Sequence, residues 1–251
     1  MESIASRLPS GDGVAAFNRM YLEVTKAVGA AIAGGLFANS AFLDHLDVVF
    51  ANHYLAAVSA ADAGGTVPRC WDVLCEVRSR TDRAQIQFAI AGMNAHINHD
   101  LVLSLVETFE ALGLDPDDPD LLADFDRVNS LLASLDAGVR RSFERGFALE
   151  LDEHFGGIED CVDGWSISQA RAVAWHDARL LWRVRDHERM RSHYEALLDE
   201  ATAAAGRCLL LPFGSHEHSD GRSCAIQAPI LAGRRAQLLD SGRFGISNRP
   251  G

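Results

Sequence analysis

The chain has 251 residues, 48% of them hydrophobic and 23% charged, with a formal charge of −12 at pH 7. Its length suits one large domain or two small ones with a buried core, and its apolar fraction excludes a disordered acidic chain. An acidic chain without a basic tract excludes a nucleic-acid partner, and no run of about 18 uncharged apolar residues marks a membrane span.

The N-terminus, Met-Glu-Ser-Ile-Ala-Ser-Arg, lacks a basic region followed by an apolar one, so a cytoplasmic location is expected. Cys70, Cys75, Cys161, Cys208 and Cys224 are scattered, fit a reducing compartment and read as small buried hydrophobes.

Helical periodicity begins over residues 12–34, where Phe17, Tyr21, Val24, Val28 and Ile32 share a stripe that stops at Gly34-Gly35. A second helix over 40–62 carries Leu46, Phe50, His53 and Ala57 and ends at Gly64-Gly65. Pro68 opens a third segment with Trp71, Leu74 and Val77, and residues 82–112 form the longest candidate, finishing at Gly113. Asp115-Pro-Asp-Asp-Pro-Asp120 reads as a loop and helix start, because prolines interrupt a helix while acids suit its positive N-terminal end. Helical spacing resumes at Leu121–Leu135, with a further helix expected over 137–153. Gly156-Gly157 breaks the pattern, and Ser166 or Ser168 caps a span of 168–205 that is one long helix or two. Alternating strands are absent. The predicted fold is all-α, a multi-helix bundle around a buried central helix, with a helical domain over 1–205 and an irregular C-terminal tail over 206–251.

The central helix carries the chemistry. Ile86, Ile90, Ile97, Leu101 and Leu105 form one apolar stripe, Phe88, Ala95, Val102 and Val106 another, and a helix apolar all round belongs inside a bundle. Its middle nevertheless holds Asn94, His96, Asn98, His99 and Asp100, whose burial demands partners, water or a ligand. Gly92 costs about 1 kcal/mol in a helix interior, which points to close helix approach or room for something else.

His96 and Asp100 are an i,i+4 pair on one face, suited to a carboxylate-oriented general base, with Asn94 or Asn98 holding a developing oxyanion. His99 is read as turned toward the Val102–Val106 side. An alternative places a divalent metal on His53, His96, Asp100 and His176, the helices over 40–62 and 168–205 being assumed to bring their histidines inward. Two fragments approach terpene-synthase metal motifs, Asp44-His-Leu-Asp47 and Asp100-Leu-Val-Leu-Ser104, but both lack part of the ligand set. Ser215-His-Glu-His-Ser-Asp220 reads as a solvated loop. No nucleotide cofactor is expected, since neither a phosphate-cradling glycine loop nor a dinucleotide fingerprint occurs.

The string Gly92-Met-Asn-Ala-His-Ile-Asn-x-Asp-Leu101 resembles the signature of an uncharacterised, mainly actinobacterial helical domain family. Leu46-Asp-Val-Val-Phe-Ala-Asn-x-Tyr-Leu55, Asp124-Phe-Asp-Arg-Val-Asn129 and Ala170-Arg-x-x-Ala-Trp175 resemble further segments of it, so that the likeness spans about residues 14–200. It implies a helical single domain and an actinobacterial origin, and it implies no reaction. It also implies that other residues can stand at the position of His53, and it adds the Asp126–Asn129 pair, i,i+3 on one helical face, to the pocket residues, with Asn129 as a further candidate for holding the developing oxyanion. The expected function is a small-molecule enzyme with an enclosed apolar pocket, a biosynthetic tailoring or cyclisation enzyme acting on an apolar metabolite. The alternatives are the metal-dependent enzyme and a non-catalytic ligand-binding protein or homo-oligomer whose polar cluster fixes helix register.

Overall fold

A computed structural model describes residues 1–147 and 166–212. The fold is an all-α bundle, and no strand occurs among the described residues. The elements are α1 (Glu2–Arg7), α2 (Gly13–Ala33), α3 (Ser40–Asp62), α4 (Arg69–Val77), α5 (Gln85–Ala95), a π-helical turn (His96–Asp100), α6 (Leu101–Leu112), α7 (Pro119–Phe147), α8 (Ile167–Arg183) and α9 (Glu188–Leu209).

The helix boundaries follow local chemistry. Asp12 caps α2 by accepting from Val14 N–H at 2.8 Å, and Asn39 caps α3 by accepting from Phe42 N–H at 3.0 Å. Gly35, Gly64 and Gly113 take positive φ at helix ends, a conformation that costs glycine nothing. Pro119 opens α7, where its missing N–H would have had no helical partner.

Several boundaries differ from the predicted ones. The short α1 has too few residues to show a period. The span expected as 121–135 and 137–153 is one helix through Phe147, and the remainder of that prediction lies outside the described residues, as do Gly156-Gly157, Cys161, Cys224 and Ser215–Asp220. The 168–205 span is two helices, parted at Val184–His187. Beyond residue 205, α9 runs on to Leu209, and Gln87 donates to the carbonyls of Leu209 and Leu211, both at 2.9 Å, tying this end to the start of α5.

Two apolar cores lie along the central helix. One joins α2, α3, α4 and α5 through Phe17, Tyr54, Trp71 and Phe88, and the other joins α3, α6, α7, α8 and α9 through Phe42, Leu105, Phe109, Phe125 and Trp175. The chain between α5 and α6 does not stop. It passes through the π turn, where Leu101 N–H reaches back five residues to His96 O, so the polar residues sit where the two cores meet. Gly92 serves close approach: the Phe17 ring of α2 lies directly over it, and a Cβ there would stand 2.5 Å from Phe17 Cγ. No helix among the described residues is long and apolar enough to cross a membrane.

Candidate functional site

Asp100 is the hub of the polar cluster and is 1% exposed. Its Oδ2 accepts from the Trp71 indole Nε1–H at 2.9 Å and lies 3.0 Å from His96 Nδ1, while its Oδ1 lies 2.8 Å from His99 Nδ1. An indole N–H can only donate, so this carboxylate acts as an acceptor on every side. Burial pushes the Asp100 pKa up, but the donors at His96 and His99 outweigh it and hold the carboxyl below its ordinary range. Facing this acceptor, both imidazoles present Nδ1–H to Asp100.

His96 is enclosed by aromatic rings. Phe50 of α3 stacks face to face on it at 3.5 Å between centroids and 5° between planes, and Tyr21 of α2 meets it edge-on at 4.3 Å. Phe17, Tyr54 and Trp71 complete the surround at 5.6 to 6.2 Å. Two buried polar atoms in this cage have no hydrogen-bond partner, His96 Nε2 and the Tyr21 hydroxyl. Each such atom costs about 1–3 kcal/mol. Burial pulls the His96 pKa down against the opposing pull of Asp100, keeping the imidazole neutral. Burial, reinforced by Asp47, raises the Tyr21 pKa well above its ordinary value against the lowering effect of the nearby Thr25 hydroxyl, which stands outside hydrogen-bond geometry to the phenol and is directed to the Met1 sulfur. The pair is thus a neutral base beside a protonated phenol. Among the groups around it, Thr25 of α2 and Asp47, Phe50 and His53 of α3 are only half-buried.

The i,i+4 contact of His96 and Asp100 is present as predicted. Asn94 donates to Thr202 O at 2.9 Å, linking the central helix to α9, and Asn98 donates to Asn94 Oδ1 at 3.0 Å within the central helix. Asn129 lies on α7, accepting from Arg171 Nε at 2.8 Å and donating to Asp126 at 3.2 Å, and it bonds to no member of the Asp100 cluster. The quartet His53, His96, Asp100 and His176 is not brought together. His53 Nε2 pairs with Glu107 Oε1 at 3.0 Å on the half-exposed side of α3, and His176 is exposed on α8, because that helix turns Ala174, Trp175 and Ala178 inward instead. No group of three metal-ligating side chains among the described residues includes any of the four. The terpene-like fragments fare likewise: Asp44 is exposed, and Asp100 is occupied by its three donors.

The sequence reading missed Tyr21 and Trp71, which it placed as apolar stripe residues, and misplaced His99, which faces Asp100 rather than the Val102–Val106 side. The π turn is the reason for His99, since it widens the helix just where 3.6-residue spacing was assumed, whereas Tyr21 and Trp71 are brought to the cluster by the packing of α2 and α4. Histidines alternating with asparagines and ending in an aspartate within an apolar helix were the available signal.

Comparison with curated proteins and with solved structures gives no match. A family model described as "Family of unknown function (DUF5995)" matches residues 1–212, and the chain belongs to that family.

Proposed function

We propose that the protein is an acid–base enzyme acting on a small, largely apolar metabolite that carries one polar group. The observation that carries this reading is the pair of buried, partnerless atoms, His96 Nε2 and the Tyr21 hydroxyl, on rings 4.3 Å apart. A structural network would satisfy both atoms, since each costs stability while unpaired. His96, held by Asp100 through Nδ1–H, withdraws a proton at Nε2; Tyr21 donates to the substrate's polar group as negative charge develops there. One proton leaves the substrate for His96 and one is supplied by Tyr21, so the net change is an isomerisation, cyclisation or elimination without an external oxidant. Phe50, the half-buried ring stacked on the imidazole, marks the position a planar substrate takes. Tyr21 fills the role for which Asn94, Asn98 and Asn129 were candidates, since those amides are engaged elsewhere. A biosynthetic setting in an actinobacterium belongs to this proposal.

A C–H acid whose deprotonation is visible by absorbance, such as a nitrobenzisoxazole, tests the site without knowledge of the natural substrate. Ring opening of this probe is expected to be accelerated by the wild-type protein and slowed at least about 100-fold by His96→Ala, with the helical circular dichroism unchanged. Equal rates for the two folded proteins would contradict the proposal.

A further inference from the structure

A second cluster lies on the other side of Asp100. Cys70 of α4, His99 of the π turn and Asp199 of α9 offer a thiol, an imidazole nitrogen and a carboxylate whose ligand atoms all lie within 4.8 Å of one another. The three come from separate helices and are brought together only by the tertiary fold. Cys70 and His99 are buried, at 2% and 6% exposure, while Asp199 is half-buried and leaves the cluster open on the α9 side.

We propose that Cys70, His99 and Asp199 form a binding site for a divalent transition metal, with zinc as the ion that fits the donor set. Thiolate, imidazole and carboxylate together suit Zn2+, and three protein ligands with one free position is the arrangement of zinc sites that keep an exchangeable water. The imidazole is oriented in advance. Its Nδ1–H is held by Asp100 at 2.8 Å, which leaves Nε2 as the ligand atom and reproduces the carboxylate–histidine–metal pattern. Asp199 accepts from Arg69 N–H at 3.0 Å and Cys70 N–H at 2.9 Å, and it is also a hydrogen-bond partner of the Cys70 thiol, whose pKa is pushed up by burial and by the carboxylates of Asp100 and Asp199; a bound cation would displace that thiol proton. The two backbone bonds cap the start of α4 and fix the carboxylate against the cysteine; capping alone would not call for an oriented imidazole and a thiol at the same point.

Charge supports the same reading. Asp100 and Asp199 flank His99; the Arg69 guanidinium forms its ion pair with Glu200 and acts on Asp199 only at longer range. A divalent cation would neutralise this concentration of negative charge. The site is separate from the acid–base pair and shares with it only Asp100, whose two oxygens face the two imidazoles.

The test uses untagged full-length protein stripped with a chelator and titrated with Co2+ as a spectroscopic stand-in for zinc. The expected result is a thiolate-to-cobalt charge-transfer band that saturates at one equivalent per chain and is displaced by one equivalent of Zn2+. Cys70→Ser is expected to abolish the band, and Asp199→Asn to weaken Zn2+ binding at least about 10-fold, with His53→Ala and His176→Ala as unaffected controls. No band with the wild-type protein, or a band that survives in Cys70→Ser, would overturn the proposal. The wild-type titration decides the matter even if a variant fails to fold, and neither outcome bears on the nitrobenzisoxazole reaction lost in His96→Ala.

Discussion

Asp47 of α3 shows how burial tunes a single residue near the site. Its pKa is pushed up to about 6 from 3.8, first by burial and then by the neighbouring Asp44 carboxylate. A carboxyl that holds its proton longer in the folded than in the unfolded state loses stability as pH rises from about 3.8 through about 6. Asp47→Asn is therefore expected to stabilise the protein at pH 7–8 by up to about 3 kcal/mol, less in so far as water reaches the half-buried group, and to change little below about pH 4. Urea denaturation of both proteins at the two pH values measures this difference. The same reasoning explains which site residues could be read in advance. His96 and Asp100 declare themselves by spacing within one helix, whereas Tyr21, Trp71, Cys70 and Asp199 acquire meaning only from what another helix places against them.

Glycines separate crowded from open positions at the scale of helices. At Gly92 a methyl group would collide with the Phe17 ring, and overpacking costs about 1–3 kcal/mol, more than the roughly 1 kcal/mol gained in helix propensity. At Gly29, inside α2, nothing lies within 4 Å of an added Cβ. Gly92→Ala is expected to lower stability and Gly29→Ala to raise it by up to about 1 kcal/mol, as read from denaturant midpoints. The helices themselves were largely legible, because glycine and proline mark their ends and apolar residues recur at helical spacing. The π turn was not, since no residue type signals it. It lies where polar side chains of an apolar helix meet partners from α4 and α9, Trp71 and Thr202, which only the tertiary fold supplies.

The whole molecule is organised by one helix that crosses two cores and carries its buried charge at their junction. Three donors from α4 and the π turn converge on Asp100, so its removal would strand all of them in a dry interior. Asp100→Ala is expected to cost about 3–5 kcal/mol and to lower the melting transition of both cores together, as one cooperative step in calorimetry. Two separated transitions would show that the cores do not depend on this junction. The formal charge of −12 is mostly a property of the solvated surface, and the functional part of it is the small fraction kept inside.

The central claim is that the aromatic cage keeps unpaired polar atoms for use on a substrate and not for the fold. Tyr21→Phe removes one of them and little else, and its unfolding free energy measures the claim directly. The account predicts stability equal to the wild type or about 1 kcal/mol higher, because an unsatisfied buried hydroxyl has been deleted. A loss of about 1 kcal/mol or more would show that the hydroxyl makes a structural bond, and would contradict the account.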